Sequence, residues 1–135
     1  APLSPAAARA SSGALEWLPV ARVTNLSNAL KALKKQGFWV MGADVQATDS
    51  LPDLPDRVFS GDLVLVLGAE GRGLRRAVQR LVDHPVRIPI PGHVESLNVA
   101  SAAAVLVWRL ISYHLYLAAG APLLLFYSAR MLRQR

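Results

Sequence analysis

The sequence predicts an α/β fold, a parallel sheet with helices on both faces, and three observations predict it. Leu63-Val64-Leu65-Val66-Leu67 is apolar at every position, as a strand buried on both faces requires. Residues 27–36 carry leucines at helical spacing between two strand-like runs, Ala14–Val23 and Phe38–Val45. Two short turns rich in glycine and proline, GAEGRGL (Gly68–Leu74) and IPIPGHVESLNV (Ile88–Val99), follow apolar runs and lead into helices. The resulting order, β-α-β-loop-β-α-β-α, is that of a parallel sheet with crossover helices.

Ala1–Gly13 is a lead-in of small residues and prolines without core periodicity. Ala14–Val23 reads as a short strand, kept from the sheet centre by Pro19, which has no backbone donor. Asn25-Leu26-Ser27 offers capping side chains to a helix over Ser27–Gln36. There Leu26, Ala29, Leu30 and Leu33 share a face, Lys31, Lys34 and Lys35 turn mostly to water, and Gly37 ends the helix. Phe38–Val45 is the second strand. Gln46–Ser60, with Pro52, Pro55 and three aspartates, reads as a surface loop. Asp62–Leu67 is the third strand. Leu74–Val82 follows as a basic helix that buries Leu74, Ala77, Val78 and Leu81, and Val86–Ile90 is the last strand. Ser96 or Asn98 opens a long C-terminal helix, broken at Gly120-Ala121-Pro122, and Leu123–Arg135 is expected as a further helix with a basic tail.

The 135 residues fit one domain, and 53% hydrophobic against 18% charged residues argues for a packed globule. With no cysteine, disulfides and thiolate metal sites are excluded; His84, His93 and His114 lack metal-ligand spacing, so no metal is expected. The net charge of +6 favours a polyanionic partner. The first thirteen residues lack the basic and apolar regions of a signal peptide. Ala100–Ala129 is apolar but is interrupted by Arg109, Ser112, His114, Gly120 and Pro122, whereas a membrane span needs about 20 apolar residues in a row. A buried or subunit-facing helix is expected there, and no membrane contact.

The first turn is not a dinucleotide fingerprint, which needs G-x-G-x-x-G and an acid about 20 residues on, nor does it hold the Lys-Ser/Thr of a P-loop. Its glycines, Gly68, Gly71 and Gly73, permit a close approach of ligand to backbone around Glu70. In the second turn Pro89 and Pro91 stiffen the chain, Gly92 allows a reversal, and Ser96 and Asn98 meet the helix start, either as caps or as site groups. Side by side at strand ends, the two turns make a narrow cleft lined by amides and aliphatics, better suited to an adenine ring than to a phosphate string. Arg72, Arg76 and Arg80 recur at i, i+4 and i+8, with Arg75 beside them. That row either meets RNA phosphates or is a solvated helix face.

Leu67–Leu74, Ile88–Ile90 and Glu95–Val99 together resemble the paired motifs of the SpoU (TrmH) family of RNA ribose 2′-O-methyltransferases. Weaker agreement runs through Ala10–Glu16, Pro19-Val20, Val23–Leu26 and Gly37–Val40, so the resemblance covers residues 1–112. It implies the SPOUT class, an α/β fold with a C-terminal trefoil knot, and S-adenosyl-L-methionine as cofactor. By that resemblance backbone at Gly68, Ile88 and Leu97 holds the cofactor. Glu70, Ser96 and Asn98 line the active site, Asn98 shaping the turn, Ser96 and Glu70 positioning the ribose and a catalytic arginine. Separately from the resemblance, the basic row beside the first turn makes Arg72, Arg75 and Arg76 the expected RNA contacts. The resemblance further implies a homodimer through the C-terminal helix, Ala100–Leu117.

The family's first motif, an asparagine-bearing loop followed by an arginine, has no counterpart in the sequence. Residues 1–135 are therefore expected to be a single SPOUT methyltransferase domain, shortened on its N-terminal side, with 119–135 as a C-terminal extension. The Val23–Leu26 and Gly37–Val40 wording is closest to enzymes that modify a guanosine of large-subunit ribosomal RNA. The alternatives are a transfer RNA methyltransferase of the same family or a non-catalytic RNA-binding or assembly module that keeps the knot. The expected compartment is the cytoplasm, with an organelle as alternative.

Overall fold

Leu63–Leu67 forms strand β2, buried at all five positions, as its unbroken apolarity requires. A computed structural model describes residues 4–69, 72–92, 96–117 and 123–127. Around β2 the chain runs through α1 (Pro5–Ala10), α2 (Ala14–Trp17), α3 (Leu26–Lys35), β1 (Trp39–Ala43), two 3₁₀ turns (Leu51–Asp53, Asp56–Phe59), α4 (Arg76–Gln79), β3 (His84–Val86), α5 (Val99–Leu117) and β4 (Leu123–Tyr127). The sheet order is β3-β1-β2-β4. Every pairing is parallel, with Val40 opposite Val64, Ala43 opposite Val86 and Val66 opposite Phe126.

Alternation along β2 separates two cores. Leu63, Leu65 and Leu67 face one side with Met41, Val86, Phe59 and the α5 residues Leu106 and Leu110. Val64, Val66 and Val40 face the other, against Leu30 of α3 and Val78 of α4. Helices thus cover both faces, and the expected parallel α/β architecture is present. The amphipathic α3 starts at Asn25, whose side chain accepts from the Asn28 amide at 3.1 Å. Its far end is fastened by Lys34, which pairs with Asp83 and donates to the Leu81 carbonyl at 3.0 Å. Asp83 also accepts from the Val40 amide at 2.9 Å, tying α3, β1 and the segment before β3 together.

Several elements differ from expectation. Ala14–Val23 is no strand: Ala14–Trp17 is a helical turn, and residues 18–25 run without regular structure. Pro19 removes a donor there, and the segment meets no sheet edge to pair with. Ahead of it the lead-in forms α1, because Ser4 caps the Ala7 amide at 3.1 Å and Pro5 sits in the first turn, where no donor is needed. Gln46–Ser60 is more than a surface loop, since it buries Ser50, Leu51, Leu54, Val58 and Phe59.

The basic helix shrinks from Leu74–Val82 to Arg76–Gln79, and Ala77 is exposed. Arg72 and Arg80 fall outside it, so the arginine row does not lie along one helix. The last expected strand, Val86–Ile90, sits two residues earlier at His84–Val86; Pro85 is tolerated because β3 is an edge strand. Leu123–Tyr127 is a strand beside β2 rather than the start of a helix; the expected basic tail lies outside the described residues. Among the described residues no helix is long and apolar enough to cross a membrane.

Candidate functional site

The carboxyl ends of β1, β2 and β3 lie level with one another, since Gly42 is opposite Val66 and Ala43 opposite Val86. Chains leaving β1 and β2 turn to opposite sides of the sheet, which opens a crevice at those ends. It is a cavity of about 420 Å³. Its lining comes from the last residue of each strand and the chain beyond it, Ala43–Gln46 at β1, Leu67–Ala69 and Arg72–Leu74 at β2 and Val86–Ile88 at β3. Ser96, Leu97, Val99 and Ala102 close it from the start of α5.

The first turn is a tight loop. The Ala69 amide donates to the Gly73 carbonyl at 3.0 Å and the Gly73 amide returns to the Ala69 carbonyl at 2.8 Å. Gly73 takes φ +59°, and a Cβ on Gly68 would lie 2.4 Å from the Gly73 carbonyl carbon. Only a residue without a side chain lets the end of β2 pass so close to its own returning backbone. The wall beside it is aliphatic, with Leu67, Leu74, Val86, Ile88 and Leu97, and the polar groups are Asp44, Gln46, Gln79, Ser96, Arg72 and Arg87.

The second strand-end segment is stitched to the loop after β1. Arg87 donates its amide to the Asp49 carbonyl at 2.9 Å, and the Leu51 amide donates to the Arg87 carbonyl at 2.9 Å. Ser50, 6% exposed, bridges to Arg87 in parallel register, so the sheet continues one residue past β3. That stitch holds Ile88 half-buried against the α5-side core.

Of the expected cofactor positions, Gly68, Ile88 and Leu97 all line the one cavity. Ser96 and Arg72 line it as well. Glu70 lies outside the described residues. Arg75 and Arg76 are exposed at the start of α4 and are not among the lining residues. Asn98 is exposed and caps α5, its side chain accepting from the Ser101 amide at 2.8 Å and its carbonyl from the Ala102 amide at 2.9 Å. Asn98→Ala is expected to cost about 1 kcal/mol in denaturant unfolding, with Asn98→Asp restoring most of it. A loss well under half of that would show that the cap is unimportant.

Sequence reasoning passed over Asp44, Gln46, Gln79 and Arg87. The rule that ligands sit past strand ends would have found Asp44 and Gln46 had β1 been ended at Ala43. Asp44 shapes its own turn, accepting from the Gln46 amide at 2.9 Å. Among the described residues no three histidines or acids are grouped to hold a metal ion.

The sequence model of the SpoU rRNA methylase family matches residues 1–108. A Burkholderia 23S rRNA (guanosine-2′-O-)-methyltransferase, RlmB, is 44% identical over 113 residues, which are 84% of this chain and 44% of that one. RlmB of Vibrio vulnificus is 35% identical over 115 residues, 85% of this chain and 45% of the relative. The SpoU methyltransferase AviRb of Streptomyces viridochromogenes, solved with AdoMet, superposes with a TM-score of 0.76 at 26% identity, over 86% of this chain and 47% of that chain. The chain thus spans less than half the length of the curated relatives it matches. With its strand-end cavity and both motif turns inside the matched region, the chain belongs to the SpoU rRNA methylase family.

Proposed function

We propose that the chain is part of an S-adenosylmethionine-dependent RNA ribose 2′-O-methyltransferase acting on a guanosine of large-subunit ribosomal RNA. The observation that carries this reading is the cavity, which gathers Gly68, Ile88 and Leu97 from three separate loops. The relatives named as 23S rRNA guanosine enzymes favour the ribosomal substrate over a transfer RNA. The reading includes the knotted C-terminal path of the SPOUT class, the whole of 1–135 as one such domain, and a cytoplasmic setting.

The cavity suits the cofactor on its own terms. Its volume of about 420 Å³ lies within the range of small-molecule sites. Leu67, Ile88 and Leu97 offer apolar contact to an adenine ring, and backbone at Gly68 and Ile88 offers hydrogen bonds to its edge. When bound, the cofactor supplies an activated methyl group on a sulfonium. The rest falls to the protein. A ribose hydroxyl is a poor nucleophile, so the site must hold it in line and about 3 Å away and must favour loss of its proton. Ser96 is exposed on the cavity wall, which supports its role as a hydrogen-bond partner of the ribose in this reading. By the family resemblance Glu70 would orient an arginine that stabilises the forming alkoxide, a residue for which this sequence has no counterpart. Asn98 acts through the helix start that carries Ser96 and Leu97.

Isothermal titration of S-adenosylmethionine into this chain, followed by labelled-methyl transfer to ribosomal RNA, tests the proposal. Stoichiometric binding and alkali-stable label at a ribose support it. A folded chain that binds no cofactor overturns it, and cofactor binding with RNA affinity but no transfer points to the assembly-module alternative.

The same reading makes the protein a homodimer through α5. Val105, Trp108 and Ile111 are 40%, 69% and 41% exposed along one stripe of that helix. Apolar stripes of this kind are normally covered by a partner. Trp108→Asp is expected to shift the sedimenting species from dimer to monomer, and an unchanged dimer would remove α5 from the interface.

A further inference from the structure

Two arginines, Arg72 and Arg87, stand on the cavity wall, brought there by different loops. Both are exposed, while Arg75, Arg76 and Arg80 of the same basic stretch lie elsewhere on the surface. Their backbones are tied down. Arg72 donates its amide to the Ala69 carbonyl at 3.2 Å, and Arg87 is held on both sides by Asp49 and Leu51. Neither guanidinium has a partner among the described residues, where the ion pairs are Lys34–Asp83 and Arg109–Asp56. Asp44 lines the same cavity and Asp49 meets Arg87 through its backbone carbonyl, yet neither forms an ion pair with Arg72 or Arg87. Two fixed roots with unpaired, charged ends on the wall of one ligand cavity offer an anion two cations.

We propose that Arg87 is a substrate-positioning residue that, with Arg72, holds a backbone phosphate of the RNA at the mouth of the cavity; this rests on the methyltransferase reading above. Along its extended segment Val86 is fully buried and Ile88 half-buried, whereas Arg87 between them is exposed. The alternation turns its side chain outward from the core that the neighbours enter. An exposed guanidinium at the rim meets a strand arriving from solvent, whereas the buried aliphatic wall of Leu67, Leu74 and Val86 would hold the cofactor. A phosphate held there fixes the distance between the strand and the methyl donor without reading any base.

The test is the salt dependence of binding to a short mixed-sequence single-stranded oligoribonucleotide, for the native chain, R87Q and R87K, with S-adenosylmethionine affinity measured in parallel. Each lost phosphate contact lowers the slope of log K against log salt by about 0.7 for a single strand. R87Q is expected to show that loss, R87K to keep the native slope, and both to bind the cofactor within about twofold of native. An unchanged slope in R87Q overturns the proposal. So does a tenfold or greater loss of cofactor affinity at constant slope, which would give Arg87 to the cofactor's carboxylate instead. A native chain that binds cofactor but no RNA also overturns it, and one that binds neither removes the methyltransferase reading beneath it.

Discussion

Gly68→Val is expected to abolish S-adenosylmethionine binding and to lower the unfolding midpoint. The cause is local and leaves little room to relax. A Cβ at residue 68 would sit 2.4 Å from the Gly73 carbonyl carbon and 2.7 Å from its oxygen. Both belong to backbone, and that carbonyl already accepts from the Ala69 amide. Opening the turn would break this bond and move the wall that carries Arg72 and Leu74. Overpacking of this kind costs about 1–3 kcal/mol, and more where backbone must shift. Even Gly68→Ala is expected to show the effect. Gly61→Ala is the control, because its new methyl would meet nothing nearer than Trp39 at 3.6 Å. That variant should stay within about 0.5 kcal/mol of native and bind cofactor normally. Calorimetric titration with thermal unfolding reads both quantities; native-like binding by Gly68→Val would mean that the turn is not a wall of the site.

Phe59→Ala is expected to lower stability by about 3–5 kcal/mol, the usual cost of emptying a large buried aromatic site. Phe59 is fully buried although it sits in a 3₁₀ turn of the long β1–β2 connection. Its ring lies 4.3 Å from the Arg109 guanidinium and 5.7 Å from the Tyr113 ring, both on α5. Arg109 also reaches Asp56 at 3.4 Å, so one turn of the connection is held to α5 by an aromatic, a cation and an ion pair. The ion pair is exposed on the Asp56 side and adds little. The burial of the ring dominates. Because α5 begins at the cavity with Val99 and Ala102, loosening its seat on Phe59 should also weaken cofactor binding. Urea unfolding with and without cofactor measures both, and a loss below about 1 kcal/mol would show that the connection is not part of the core.

These two positions also mark how far the sequence could be read. Gly68 was legible in part: three glycines in one turn signalled room beside the backbone, expected there for a ligand, and the two turns at strand ends pointed to one cleft. The close passage of Gly73 past Gly68 shows only in the fold. Phe59 was not, because prolines and aspartates around it gave the stretch the composition of a surface loop. Its four apolar side chains have no regular period, so only packing shows that they are inside. The same holds for Leu123–Tyr127, where an apolar run of five suits a strand or a helix equally and pairing with β2 decided the matter. The arginine row failed for the opposite reason. Its spacing was helical, but α4 is four residues long, and the turn at Gly73 sent Arg72 to the cavity instead.

What the sequence alone determined is the class of the fold and the two turns. Both follow from local physics, the alternation and apolarity of strands and the backbone freedom of glycine. The tertiary structure decided which residues share the cavity, because Asp44, Gly68, Arg87 and Leu97 lie on four segments that meet only when three parallel strands come into register. That register is a long-range property, set by side chains packing on both faces of β2, and no window of neighbouring residues contains it.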